Sequence, residues 1–412
     1  MDFWRDKKVV VAVSGGIAAY KCLELIRRLR DSSATITGVV VTPAALKFVT
    51  PLSLAALAEA PVYDELFSLT QEREMGHIRL AREADLVIVA PATADLMARM
   101  AHGHGNDLLT TLLLARRGPV LLAPAMNSGM WESPATQRNV AQLVADGLSM
   151  VGPASGALAC GETGVGRMSE PEAIMEAARR VLTAQRLAGR KMLITAGPTR
   201  EAVDPARYIS NRSSGRMGYA IAHAAVRMGA QVTLVHGPTA LVPPEGVQAI
   251  GVESAQQMYE AVTAVWPQMD VAVMSAAVSD YRPKTMAQQK LKKKHQKGQS
   301  VQWELTENPD ILAHVGAHKE PGQWVVGFAA ETENLLEHGQ EKRQRKGCDL
   351  LVINDVSRAD IGFDSTHNEI VLLGPSDDGI ERWSRTAKSE IAERLICRIA
   401  DCLEEGTPDE RR

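Results

Sequence analysis

Three segments in the first half of the chain place reactive groups where packing alone would not. Gly76-His77-Ile78 opens a stretch in which Ile78, Leu80 and Ala81 recur at helical spacing. A histidine at a helix start keeps both ring nitrogens available for acid–base or hydrogen-bond work. Pro124-Ala125-Met126-Asn127 follows a buried-looking apolar run, at the edge where open α/β sheets bind ligands, and Asn127 offers an amide there. Cys160 lies among Gly152, Gly156, Gly161, Gly164 and Gly166, a stretch able to act as a flap that carries a thiol over a site. In the second half Lys290, Lys292, Lys293, Lys294 and Lys297 form a cluster of positive charge. Each signal also has a plainer reading: a capping histidine, an asparagine N-cap, a cysteine that only packs, a solvated charged loop.

The elements that must hold these residues repeat a simple order. Lys8–Val13 is a β-branched apolar run that leads into Ser14-Gly15-Gly16 and a helical stretch to Arg30. Thr35–Val41, Leu86–Ala90 and Val120–Ala123 read as further strands, with helices at about 51–59, 77–84, 94–102 and 107–116. A helix over about 171–188 runs into Gly189-Arg190-Lys191, and the pattern then restarts. Met192–Ala196 ends in Gly197-Pro198-Thr199, and a helix from about Gly215 carries an apolar stripe from Met217 to Met228. Gln231–Val235, Val271–Ser275, Trp324–Phe328 and Leu350–Ile353 read as strands, and Thr386–Leu403 as a closing helix with Thr386 as its N-cap. Continuous apolar strands separated by helices predict an α/β protein. It should have two tandem three-layer domains with mostly parallel sheets, residues 1–190 and 191–412.

Each half opens with strand, glycine turn and helix, which aims backbone N–H groups at an anion. A dinucleotide fold needs an acidic residue after its second strand. The first half has Val41-Thr42-Pro43 there and the second has His236-Gly237-Pro238. A mononucleotide such as FMN therefore suits the first half better than NAD. Composition narrows the class further. Lys and Arg number 46 against 49 Asp and Glu, and aromatics are 4%, so neither a basic excess nor base-stacking platforms point to nucleic acid. No apolar run approaches the roughly 18 residues of a membrane helix. The start Met1-Asp2-Phe3-Trp4-Arg5-Asp6 lacks the order of a secretion signal. The cysteines (Cys22, Cys160, Cys348, Cys397, Cys402) never fall in CxxC spacing, and a cytoplasmic protein is expected.

Taken together, SGGIAAYK (14–21), His77, APATADL (90–96), Asn106-Asp107, PAMN (124–127) and ACGETGVGRM (159–168) resemble the homo-oligomeric flavin-containing cysteine decarboxylases, most closely the phosphopantothenoylcysteine decarboxylases. ITAGPTRE (194–201), DPARYISNRSSGRMG (204–218), AAVSDYRP (276–283), KLKKK (290–294), NPDIL (308–312), VVGFAAET (325–332) and Ile353-Asn354-Asp355 resemble the phosphopantothenate–cysteine ligases. That order on one chain is similar to the bacterial bifunctional enzymes of coenzyme A synthesis. Arg212 stands where the ligase motif often has His, and Glu162 where the flap often has Asp.

The resemblance implies a chemistry for each half. In the first, FMN oxidises the thiol-bearing carbon so that CO2 can leave, then returns the hydride. It implies His77 as base or thiol orienter, Asn127 as the holder of the substrate carboxylate and Cys160 as proton donor. Ser14, Gly15, Thr42, Thr93 and Asn106 would form the flavin shell. In the second, CTP with Mg2+ converts 4′-phosphopantothenate to an acyl-cytidylate that cysteine attacks; the metal ligands stay unassigned. The implied CTP contacts are Asp280, Lys290, Pro309, Asp310, Ile311, Leu312, Phe328, Lys342 and Lys346, with Lys290 also catalytic. Asn211 and Arg207 would convert the acyl-cytidylate, and Gly197, Ser213, Ser214 and Gly215 would hold the substrate phosphate. A homo-oligomer is implied, a dodecamer with trimeric decarboxylase and dimeric ligase contacts. Two other readings stay open: an NAD(P)-dependent oxidoreductase, and a non-catalytic flavin-binding regulator, which would have lost His77, Asn127 or Cys160.

Overall fold

The valine-rich run near the start of the chain is apolar throughout because it becomes the middle strand of a sheet covered on both faces. The computed structural model describes residues 3–65, 76–157, 161, 163–291, 302–331, 335–355, 365–374 and 379–405. Two compact units divide after Ala184: Met1–Ala184 and Gln185–Arg412.

The first unit contains β1 (Lys8–Val13), α1 (Lys21–Asp31), β2 (Thr35–Val41), α2 (Pro51–Ala58), β3 (Val62–Tyr63), α3 (Gly76–Glu83), β4 (Leu86–Ala92), α4 (Ala94–Ala101), α5 (Leu108–Ala115), β5 (Val120–Pro124), α6 (Ser128–Glu132), α7 (Pro134–Ala145), β6 (Ser149–Met150), β7 (Ala154–Ala157), β8 (Thr163–Arg167) and α8 (Pro171–Leu182). The sheet is parallel, in the order β3-β2-β1-β4-β5-β6. Val9, Val11 and Val13 point into a core shared with α1, α2 and α8. Val10 and Ala12 point the other way, into a core shared with α3, α4, α5 and α7. That alternation makes three layers out of one continuous apolar run.

The second unit contains β9 (Lys191–Ala196), β10 (Arg200–Asp204), β11 (Arg207–Ser210), α9 (Arg216–Arg227), β12 (Gln231–His236), β13 (Val247–Gly251), α10 (Ala255–Val265), β14 (Val271–Met274), β15 (Tyr281–Pro283), β16 (Leu305–Glu307), α11 (Ile311–Ala317), β17 (Trp324–Glu331), α12 (Leu335–Lys346), β18 (Leu350–Asp355), β19 (His367–Leu373), β20 (Ile380–Ala387) and α13 (Lys388–Glu405). The main sheet runs β13-β12-β9-β14-β17-β18-β19-β20, parallel until β19 and β20 turn antiparallel. Met192 and Ile194 of β9 face the α9–α13 core, while Leu193 faces the α10–α11 core.

Two expected helix ends differ. The helix after Pro171 stops at Leu182, because Thr183 is extended. Leu187 beyond it is instead buried in the second unit, its N–H donating to the Met228 carbonyl at 2.9 Å. Thr386 is not an N-cap: it lies in β20 opposite Asn368, and its hydroxyl donates to Glu390 at 2.8 Å. β20 escapes sequence reading because Trp383 is its one fully buried side chain, so no apolar alternation marks it.

Candidate functional sites

In each main sheet the strand order reverses beside the first strand, and a cavity opens at the carboxyl ends there, the place where open α/β sheets bind ligands. In the first unit the reversal lies between β1 and β4. Ser14, buried at the end of β1, donates to the Pro91 carbonyl at 2.6 Å and accepts from the Thr93 N–H at 3.2 Å. Thr93 in turn caps α4 by accepting from the Leu96 N–H at 3.3 Å. Thr42, at the end of β2, accepts from the Ala45 N–H at 3.2 Å. These bonds hold three strand ends around a cavity of about 1130 Å3 lined by Ser14, Gly15, Thr42, Thr93 and Asn127 among others.

Asn127 combines the two readings of its residue type. Its side-chain oxygen accepts from the Gly129 N–H at 2.8 Å, capping α6, and the residue still lines the cavity. Asn106 is exposed and off the wall, whereas its neighbour Asp107 is on it. Asp107 caps α5 through the Thr110 N–H at 2.8 Å and pairs with Arg99, itself bonded to Asp95 at 3.2 Å. Burial would raise the Asp107 pKa, but the Thr110 amide and the Arg99 guanidinium outweigh it and hold the carboxyl below its ordinary range. Lys21 is also on the wall, bonded to Glu170 at 2.9 Å. His77 lies in the first turn of α3, and Cys160 and Glu162 fall outside the described residues. Two described thiols are poor nucleophiles: burial pushes Cys22 far up and Cys348 up to about 12.

In the second unit the reversal lies between β9 and β14. Hydroxyls at the end of β9 fix the chain leaving β14: Thr195 accepts from the Ala276 N–H at 3.2 Å, and buried Thr199 accepts from the Ser279 N–H at 3.0 Å. The cavity here is about 520 Å3 and contains Asn211, Ser213, Ser214, Gly215, Asp280, Phe328 and Lys342 in its wall. Gly215 starts α9 at φ 76°, and a side chain on it would meet Thr239 at 2.9 Å. Gly197, at φ 77°, packs against the same Thr239 behind the wall. Asn211 donates to the Val278 carbonyl at 2.8 Å.

The other expected residues do not line this cavity. Asn308 donates through its side chain to the Ser279 carbonyl at 2.8 Å, which joins the segment before Pro309 to Asp280. Asp310 caps α11 and pairs with Lys346, so two expected contacts neutralise each other. Ile311 is buried in the α10–α11 core and Leu312 packs against it. Lys290 is exposed, and Arg207 is held by Asp204.

The comparisons with known proteins fit this arrangement. The flavoprotein family matches residues 4–183, and the DNA/pantothenate metabolism flavoprotein C-terminal domain matches residues 187–403. The coenzyme A biosynthesis bifunctional protein CoaBC of Vibrio parahaemolyticus is 49% identical over 403 residues, covering 98% of this chain and 100% of that one. The protein of the same description from Escherichia coli K12 is 48% identical over 375 residues, covering 91% and 92%. The chain belongs to the CoaBC family. A crystal structure of the C-terminal domain of a CoaBC protein aligns at 39% identity with TM-score 0.46, covering 54% of this chain and all of that one.

Sequence reasoning missed Arg99 in the first cavity and Asn368 and Lys388 in the second, and it named Asp107 only in the pair with Asn106. Arg99 was findable, since it stands one helical turn after Asp95 on the helix that opens at Thr93. Lys388 was not. It is buried on the second cavity's wall only because β19 and β20 pair and turn the chain back into α13.

Proposed function

We propose that the second unit joins cysteine to 4′-phosphopantothenate with CTP and Mg2+, and that the first decarboxylates the resulting 4′-phosphopantothenoylcysteine with FMN. The bifunctional coenzyme A biosynthesis role is that of the family; the division of labour between the units and the residues below are our assignment. The observation that carries it is one cavity at each sheet reversal, each walled by its own set of the expected motif residues.

The first cavity suits a mononucleotide flavin. Gly15 lines the cavity, and its backbone stays bare there because a side chain on it would strike Ala44 at 2.3 Å. Ile17, Met126, Met130 and Met168 give an apolar wall for a ring system, and Thr42 and Thr93 give polar edges. Bound FMN supplies reversible two-electron oxidation of the substrate's thiol-bearing carbon. Ser14 supports the shell from beneath, since its proton is given to Pro91. Asn127 orients the substrate carboxylate, His77 orients or deprotonates the thiol, and Cys160 donates the returning proton. Ile17, Tyr20 and Met130 line the cavity yet are 60%, 58% and 50% exposed, which supports completion of the site by another copy. We assign the chain to a cytoplasmic homo-oligomer, trimeric through the decarboxylase unit, dimeric through the ligase unit and dodecameric overall.

In the second cavity the start of α9, with Ser213, Ser214 and Gly215, receives a phosphate. Lys342 meets the nucleotide, Asp280 offers a carboxylate for Mg2+-nucleotide binding, and Lys290 contacts the triphosphate. Arg207 and Asn211 serve the attack of the cysteine amine, which releases CMP. Purified protein should be yellow, with an oxidised-flavin absorbance band, and Asn127→Asp should abolish CO2 release while keeping the colour. A colourless protein that takes up no added FMN contradicts the reading of the first unit.

A further inference from the structure

Asp204 ends β10 with a side chain fully removed from solvent. A buried carboxylate is costly unless its oxygens are well bonded, and here the two oxygens do different jobs. Oδ1 accepts from the Ala206 N–H at 2.8 Å and the Arg207 N–H at 2.9 Å, closing the turn between β10 and β11. Oδ2 accepts from Arg207 Nε at 2.9 Å, from Arg207 Nη2, and from the Leu291 N–H at 3.1 Å. Arg207 Nη2 also donates to the Leu291 carbonyl at 3.1 Å. One carboxylate oxygen thus ties the guanidinium to the backbone beside Lys290, 84 residues further along the chain. A second stitch, the Ala287 N–H to the Val203 carbonyl at 3.0 Å, keeps the two segments together.

We propose that Asp204 is a positioning residue for the ligase reaction, holding the Arg207 guanidinium in one orientation through its Oδ2 atom. The proposal rests on the reading of the second unit given above. An arginine side chain that is 45% exposed would otherwise sample many rotamers. Arg207 stands outside the cavity wall, so with Nε and Nη2 anchored its Nη1, which bonds no described residue, is the donor left to reach substrate. Fixing a reacting partner in this way lowers the barrier without any new contact.

The division between the oxygens supplies the test. Asp204→Asn keeps an acceptor for the turn and places an NH2 group against Arg207, where it cannot accept. In the full-length, flavin-loaded protein, pyrophosphate release from CTP and 4′-phosphopantothenate is measured without cysteine, and consumption of the accumulated acyl-cytidylate after cysteine is added. The same two rates are taken for Arg207→Gln and for the double variant. Asp204→Asn should slow the cysteine-dependent step roughly tenfold or more, as loss of a charge-assisted bond implies. The double variant should be no slower than Arg207→Gln alone, because Asp204 acts through Arg207. CO2 release from supplied 4′-phosphopantothenoylcysteine should be unchanged. Effects that multiply in the double variant, or a wild-type rate for Asp204→Asn, overturn the proposal. Should the asparagine variant fail to fold, Asp204→Ser retains an acceptor for the turn and is held to the same non-additivity. Wild-type protein that consumes no CTP would instead remove the ligase reading itself.

Discussion

Gly15 shows how tightly the first cavity is set at the level of single residues. A methyl group there would sit 2.3 Å from the Ala44 Cβ and 2.9 Å from its carbonyl carbon, so backbone would have to move. Gly15→Ala should cost about 1–3 kcal/mol by overpacking and lower the flavin content of the purified protein; thermal melting and the absorbance ratio read both. Asp107 carries a pH signature. Its carboxyl is held below the ordinary value, so it stabilises the fold above the unfolded pKa, and that stabilisation is lost as pH falls through the folded one. Asp107→Asn should therefore melt lower than wild type at pH 7, with the gap closing below about pH 4. A gap that widens toward acid contradicts this account. Ser14, Gly15, Thr42, Thr93 and Asn127 were legible because they sit at strand ends that apolar runs predict. Asn106 and Asp107 were legible only as a pair, since which of them faces inward depends on where α5 starts.

At the scale of elements, each site is an assembly of strand ends held by buried hydroxyls and by close helix packing. Gly218 lets α9 lie on β9: a side chain there would meet Ala196 Cβ at 2.5 Å, Ser275 Oγ at 2.8 Å and the Thr195 carbonyl at 3.0 Å. Gly218→Ala should push the α9 start away from the second cavity, weakening 4′-phosphopantothenate binding more than it weakens CO2 release by the first unit. Separate assays of the two reactions check this, and equal losses in both would contradict it. The central parallel strands were readable because they are buried on both faces and therefore apolar along their length. The hairpins β10–β11, β15–β16 and β19–β20 were not. They are short or polar, and partner strands fix them where local preference does not. Asn368, which β19 adds to the second cavity's wall, and Lys388, which follows β20 at the start of α13, were hidden for the same reason.

At the scale of the molecule, one chain carries the same architectural device twice. Each unit has a parallel sheet whose order reverses beside its first strand, with a cavity at that reversal. The absence of an acidic residue after β2 separates the first unit from a dinucleotide oxidoreductase, because Thr42 stands at that strand end. Among the described residues no helix is long and apolar enough to cross a membrane. In the function proposed above, what joins the units is chemical: the amide made by the second unit is the substrate of the first. The most direct measurement supplies purified protein with 4′-phosphopantothenate, cysteine, CTP and Mg2+, and follows all products together. The expected product is 4′-phosphopantetheine, with one CO2, one CMP and one pyrophosphate for each molecule formed. CTP consumption that ends at 4′-phosphopantothenoylcysteine in flavin-loaded protein, or no amide at all, would contradict it.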